Sequence, residues 1–323
     1  MPRSPVLRIG IAQGRMNAGY RRAGTIFFPM PVPPTDPPRG RLVFLSALAV
    51  LFFADLLAWY VLFSGRPAND TRMYFLDVGQ GDSEVAVLPG GVSVMTDAGP
   101  TNAVLGSFDR VLPGRRYIDL AVITHPQLDH FNGYNFILDH YGVGAILYNG
   151  RDDPGVAEWT ALRAKIAAKH IPLITLGAGD RIHYRDDEID ILSPDDDFIQ
   201  SAELNDTGLV ELVRTPQFRA LLTADIGSGV EDRLVRSGID LRADILKVAH
   251  HGSKYSSSEA FLAAVRPAVA VIEVGAKNTY GQPGPATLAR FASTTRAEIF
   301  RTDQNGTVEI SYYDNGLQVS REK

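Results

Sequence analysis

A chain of 323 residues with no cysteine has neither disulfides nor thiolate metal ligands. Its 45% hydrophobic and 21% charged residues exclude bulk disorder and are enough for a full-sized core. The net charge of −5 is unevenly spread: residues 1–72 carry nine Arg against three Asp, which leaves the remainder near −11. A body this acidic is not built to grip nucleic acid over its whole surface.

Residues 1–41 are basic, proline-rich and without helical or strand period, and read as a flexible arm, with Met30 as an alternative start. Residues 42–63, LVFLSALAVLFFADLLAWYVLF, would span about 33 Å as a helix, enough to cross a bilayer. Asp55 near the centre costs about 2.5–3.5 kcal/mol, while each Leu, Phe or Val returns about 0.3–0.6. Fourteen such residues outweigh one Asp. The run is long for a signal peptide, and LFSGRPAND has no clean small-x-small cleavage site, so a retained single-pass anchor is expected. Arg39 and Arg41 flank its amino side. They place the N-terminus in the cytoplasm and the rest outside a bacterial-type cytoplasmic membrane. Residues 64–72 form a polar linker, and residues 73–323 the globular domain.

The globular part opens with MYFLDVGQGDS (73–83), a strand running into Asp77 and a loop at Gly79 and Gly81. GQGD lacks the Gly-Lys-Ser/Thr end of a P-loop. EVAVL (84–88) and VSVMT (92–96) pair across Pro89-Gly90-Gly91, the second ending at Asp97. In AVITHPQLDHFNG (121–133), an apolar β-branched run ends at Thr124 and delivers His125, Asp129 and His130 within six residues. Imidazole and carboxylate gathered at one strand end suit zinc, manganese or iron(II). The competing reading is a polar turn with two solvent-facing histidines. A short helix within 131–142, a strand at 145–149 and an amphipathic helix at 157–170 follow. Strands at 181–185 and 188–192 lead into the acidic loop 193–198, a solvated turn without the spacing of a calcium loop.

The second half repeats this alternation. Strands at 208–214 and 218–225 come first, the latter ending at Asp225, then a helix at 230–238. A strand over 243–253 carries His250 and His251, and a serine caps a helix at 257–265. A strand at 269–274, a helix at 286–293, and strands at 298–302 and 307–313 meeting at Asn305-Gly306 complete the chain. Alternating strands and helices predict α/β layers. Functional groups of such folds gather at strand ends, here Asp97, His125 to His130, Asp225 and His250–His251, with Asn205 nearby. Lys247 is expected to pack its stem and expose its amine, and His140, His170 and His183 to be surface or packing residues.

Six motifs in order, DVGQGDS, TDAG, THPQLDH, LLTADI, LKVAHHGS and RTDQNGTVEI, resemble the metallo-β-lactamase superfamily. The resemblance is to the hydrolase domain of ComEC-type competence proteins and their stand-alone relatives, with phosphorylcholine esterases related in the same way. It covers residues 73–313 and implies an α/β fold, the αββα four-layer sandwich, with a metal site at the sheet edges. It further implies that Asp129, His130 and His251 hold one divalent ion, Zn2+ or Mn2+. Asp225 would bridge to a second held by His125, giving one or two ions per chain. His250 would contact the substrate phosphate, with Asp129 and Asn205 in the catalytic set and Asp97 and Asp77 orienting ligands.

The chain departs from the family pattern at Gln127, where an Asp or His is usual, and at Gln282 and Gly284, where YGHPHP is frequent. A neutral amide is a poorer ligand, so one metal position should be weak. The implied activity is hydrolysis of phosphodiesters, in nucleic acid (DNA included) or small phosphoesters. The other class is a catalytically weakened binding or scaffold protein on the same fold. The sequence indicates no protein partner.

Overall fold

A computed structural model describes residues 39–64, 70–314 and 316–323. The expected arm lies outside the described residues up to position 38, as do residues 65–69 of the expected linker. The chain divides into two units after Gly65. The first contains helix α1 (Arg39–Ser64), which extends the expected apolar run by three residues at its start and one at its end. Within it, Leu42–Tyr60 is long and apolar enough to cross a membrane, and its side chains are exposed. Ser46 returns its hydroxyl to the Leu42 carbonyl at 2.9 Å, so this polar side chain is satisfied inside the helix.

The second unit begins with β1 (Arg72–Phe75), β2 (Glu84–Leu88), β3 (Val92–Thr96), α2 (Ala103–Val111) and β4 (Tyr117–Ile123). It continues with α3 (Leu128–Phe131), α4 (Gly133–His140), β5 (Gly142–Tyr148), α5 (Ala157–Ala168) and β6 (Leu173–Thr175). Its second half runs β7 (Arg181–Tyr184), β8 (Asp187–Ser193), β9 (Val210–Arg214), β10 (Arg219–Leu222), α6 (Ser228–Arg236) and β11 (Ile245–Lys247). There follow α7 (Glu259–Val265), β12 (Val269–Ile272), α8 (Pro285–Thr294), β13 (Glu298–Arg301), α9 (Thr302–Asn305), β14 (Val308–Tyr313) and β15 (Gly316–Arg321).

Two mixed sheets result, ordered β15-β14-β1-β2-β3-β4-β5-β6 and β13-β12-β11-β10-β9-β8-β7. Strict alternation drives the layering. Along β1 and the residue after it, Met73 and Phe75 enter the core between the sheets, while Tyr74 and Leu76 face the first sheet's helices. Along β12, Val269 and Val271 face between the sheets while Ala270 and Ile272 pack with α6, α7 and α8. Helices α2, α4 and α5 cover the first sheet with Phe108, Tyr134, Ile137, Trp159, Leu162 and Ile166. The architecture is the αββα sandwich expected of the sequence. Full burial of a side chain such as Phe75 contributes about 1.5–3 kcal/mol.

Two expectations fail locally. The strands at 298–302 and 307–313 do not pair: β13 lies parallel to β12 in the second sheet, while β14 lies antiparallel to β1 in the first. The single turn of α9 and the left-handed Gly306 (φ 67°) turn the chain between them, and Val308 and Ile310 then bury between the sheets. Strands β6 and β15 are absent from the sequence expectation. Both are edge strands with no fully buried residue, so they lack the period that betrays the others.

Strands β3, β4 and β5 run parallel, as do β10, β11 and β12. The segments that leave β3, β4, β10, β11 and β12 at their carboxyl ends carry Asp97, His125 to His130, Asp225, His250–His251 and Glu273.

Candidate metal centre

Asp97 follows β3 in a left-handed conformation (φ 54°) and acts as a clamp. Its carboxylate accepts from the Thr124 amide at 2.9 Å and the Thr124 hydroxyl at 2.6 Å, and lies 2.7 Å from His130 Nδ1. The pairing fixes the His130 ring so that Nε2 points away from the clamp. Helix α3 begins where the amides of His130 and Phe131 reach the Gln127 carbonyl, which puts Asp129 and His130 on a single turn.

The DVGQGDS loop closes over that turn, with the Asp82 amide donating to the Asp129 carbonyl at 3.2 Å. Gly81 permits this approach, since a Cβ there would stand 2.3 Å from the same oxygen. On the opposite sheet, His250 and His251 both adopt left-handed backbone (φ 53° each), a conformation that costs roughly 1–2 kcal/mol per non-glycine residue. The His250 amide holds the turn by donating to the Ala224 carbonyl at 3.1 Å.

These turns converge on one atom. Asp225 Oδ2 lies 3.4 Å from His130 Nε2, 3.4 Å from His251 Nε2 and 3.8 Å from His250 Nε2. Asp129 Oδ2 lies 3.4 Å from His251 Nε2. One donor atom from each of Asp129, His130, Asp225 and His251 falls within 4.8 Å of all the others. His130 and His251 are buried, whereas the Asp129 side chain is 32% exposed. Asp129, Asp225 and His251 floor an open cleft of about 480 Å³ whose walls include Gln80, Gln127, Leu128, His250, Lys277, Tyr280 and Gln282.

The donor set fits a divalent cation. His130 Nε2 is fully buried and, although 3.4 Å from Asp225 Oδ2, makes no well-directed hydrogen bond, which is costly for a buried polar atom. Burial disfavours the charged form of both His130 and His251, yet Asp225, with Asp97 for the first and Asp82 for the second, outweighs it and holds both rings well above the usual imidazole range. Asp129 is pulled the other way: burial raises it, but His251 and His130 bring it down to about 2. Two protons on two imidazoles carry the charge of one divalent ion, so exchanging one for the other leaves this buried set balanced. Two imidazole nitrogens with two carboxylates are donors that zinc and manganese accept.

The neighbouring position is poorer. His125 is buried with its Nε2 unpartnered, and burial followed by the nearby His130 lowers it to about 4. It is not among the four mutually close donors. Gln127 contributes its backbone carbonyl to α3 and lines the cleft. The Asn205 amide nitrogen lies 3.3 Å from His250 Nδ1. Gln282 bridges the Gln80 side-chain amide and the His250 carbonyl.

Two sequence expectations change. Asp77 does not touch the centre: it accepts from the Gly79 amide and from Lys323 at 2.9 Å, and so caps its own loop. Lys247 does not expose its amine. It is fully buried, its ammonium paired with Asp82, 2.7 Å from the Ala224 carbonyl and 3.6 Å from Asp225 Oδ1. Reading its stem as surface-bound missed that β11 is covered on both faces. Asp82 is the residue sequence reasoning overlooked, lying 3.2 Å from His251 Nδ1 and 3.7 Å from His130 Nδ1. Its place in the first motif, next to a glycine that admits close backbone contact, was the available signal. His140, His170 and His183 are exposed, as expected.

No family model matches the chain. It is 28% identical over 201 residues to ComE operon protein 3 of Bacillus subtilis, covering 62% of this chain and 25% of that protein. It is also 28% identical over 289 residues to competence protein ComA of Neisseria gonorrhoeae, covering 88% and 38% respectively. The chain thus spans well under half the length of either curated relative. Among solved structures, a metallo-β-lactamase fold protein of Bacillus subtilis superposes with a TM-score of 0.51 at 13% identity, over 74% of this chain and 99% of that one. The β-hydroxylase CmlA gives a TM-score of 0.52 at 14% identity, over 76% and 55%. A hydroxylase on this fold shows that the fold alone does not fix the reaction. The chain has the metallo-β-lactamase fold and is similar in sequence to ComE operon protein 3 and to competence protein ComA.

Proposed function

We propose that the chain is a metal-dependent hydrolase of phosphodiester bonds, with Asp129, His130, Asp225 and His251 holding one tightly bound divalent ion. The observation that carries this reading is the convergence of three imidazole Nε2 atoms on Asp225 Oδ2, beneath an open cleft. Zinc or manganese in that position would polarise a phosphoryl oxygen and lower the pKa of a bound water from 15.7 to about 7.

The chain's own residues do the rest. Asp129, with its partly exposed carboxylate, orients the attacking water. His250 is held in the cleft wall by Asn205, and burial followed by the neighbouring His251 keeps it neutral at pH 7 although Asp225 opposes them. A neutral ring donates one hydrogen bond to a phosphoryl or leaving oxygen. Lys277 at the rim supplies the positive charge that attracts an anionic ester. Helix α1 anchors the protein by a single span, with the hydrolase unit outside the cytoplasm. A phosphatase fused after residue 72 is active outside the cytoplasm on this reading, and its inactivity there reverses the orientation.

A phosphodiester substrate makes single-stranded DNA and a small phosphodiester the first two substrates to assay. Full-length protein in detergent, loaded with zinc or manganese, should cleave single-stranded DNA or bis-nitrophenyl phosphate, and Asp129→Ala should not. Nitrophenyl phosphorylcholine separates the small-ester specificity. Metal binding without turnover of any of the three points instead to a binding protein on a weakened hydrolase fold, the reading that Gln127 and Gln282 favour.

A further inference from the structure

The ammonium of Lys247 is fully buried beside the four-residue donor set. It touches that set by two routes. Directly, Nζ lies 3.6 Å from Asp225 Oδ1, the oxygen turned away from the imidazoles. Indirectly, it pairs with Asp82, whose Oδ1 lies 3.2 Å from His251 Nδ1 and whose Oδ2 lies 3.7 Å from His130 Nδ1. Asp82 thus lies fully buried behind both imidazole donors, beside the Asp97 carboxylate at 2.7 Å from His130 Nδ1 and the Glu273 carbonyl at 2.8 Å from His251 Nδ1.

Such a carboxylate is costly to bury unless a charge is fixed against it. Lys247 supplies that charge and is itself fixed by the Ala224 carbonyl at 2.7 Å. Its backbone is tied as well, since the Thr223 hydroxyl donates to the Lys247 carbonyl at 2.7 Å. The ends of β10 and β11 are thereby locked to the DVGQGDS loop of the other sheet.

On the reading that these four residues hold a divalent ion, we infer that Lys247 is a positioning residue of the metal centre, acting through Asp82 to orient His130 and His251 and directly on Asp225. Without its ammonium, Asp82 loses the charge that fixes its oxygens against both rings, and Asp225 is free to turn. Partners behind the ligands typically set about ten- to a hundredfold of metal affinity.

The test is a zinc competition titration against a chelating dye, on the full chain in detergent. Lys247→Met, with its fold checked by near-UV circular dichroism, should bind zinc about ten- to a hundredfold more weakly at unchanged stoichiometry. Asp82→Asn should give a loss no larger than that of Lys247→Met. The double variant should lose no more than Lys247→Met alone, because the Asp82 route runs through that ammonium. Should Lys247→Met fail to fold, Asp82→Asn decides alone. Wild-type affinity in a folded Lys247→Met or in Asp82→Asn overturns the inference, as do losses that simply add. A wild-type chain that binds no zinc sinks the metal reading itself, which is a separate outcome from variants that bind as tightly as wild type.

Discussion

The floor of the cleft has two sides that differ sharply in what they can hold. On one side, Asp129, His130, Asp225 and His251 bring four donors within 4.8 Å, each imidazole backed by a carboxylate or a carbonyl. On the other, His125 stands with an unpartnered Nε2, and the sequence offers Gln127 where the family resemblance implies a further ligand and Asn205 near the place where many members have another His. Neutral amides neither balance a cation's charge nor match imidazole as ligands. On the proposed reading, the difference separates a complete metal position from one that keeps only its scaffold.

Removing the shared carboxylate should have the largest effect. Asp225→Asn is expected to abolish tight metal binding and lower phosphodiester turnover by about a thousandfold or more, read by metal analysis and initial rates. Retained metal in that variant would show that the furnished side is not the site. His250→Gln should act differently, costing about a hundredfold in kcat with metal content unchanged, since His250 faces substrate from the cleft wall. A parallel loss of metal would make His250 a ligand. The comparison sharpens in the other direction with Gln127→Asp combined with Asn205→His. Placing charged and imidazole donors at these two positions should raise the stoichiometry from one ion to two, and an unchanged count would locate the deficit elsewhere.

Much of this contrast was legible in the sequence. The strands β2 and β3, the capped helix α7 and the residues of the furnished side all follow from period, turn chemistry and the six motifs. Ser258 does accept the Phe261 amide at the start of α7. The edge strands β6 and β15 were invisible because an edge strand with an exposed face has no buried period to display. The Lys247–Asp82 pair was invisible for another reason. Its members are separated by 165 residues, and their pairing depends on two sheets meeting, which no local pattern encodes. Asp77 misled because a carboxylate after a strand serves equally well as a loop cap.

A smaller effect tests the core beneath both sides. Glu211 is buried between the sheets with its oxygens 3.2 Å from the Thr96 hydroxyl, and burial, then Asp97, pushes its carboxyl from 4.5 up to about 8. The folded chain therefore holds one more proton at this group than the unfolded chain between those values. Stability falls as pH rises through that window, by at most about 1.4 kcal/mol per unit, and levels off above it. Glu211→Gln should remove this contribution and melt a few degrees higher than wild type at pH 8, with little difference at pH 4. An identical pH profile of melting for the two proteins would mean that Glu211 is ionised in place.

The central claim is that one side of the cleft is a working metal position and the other is not, and counting ions tests it most directly. Full-length protein, supplemented with zinc or manganese and then dialysed, should retain close to one ion per chain. Two tightly held ions would show that Gln127 and Asn205 are no obstacle. No retained ion would contradict the account at its root, leaving a metallo-β-lactamase fold that does other work.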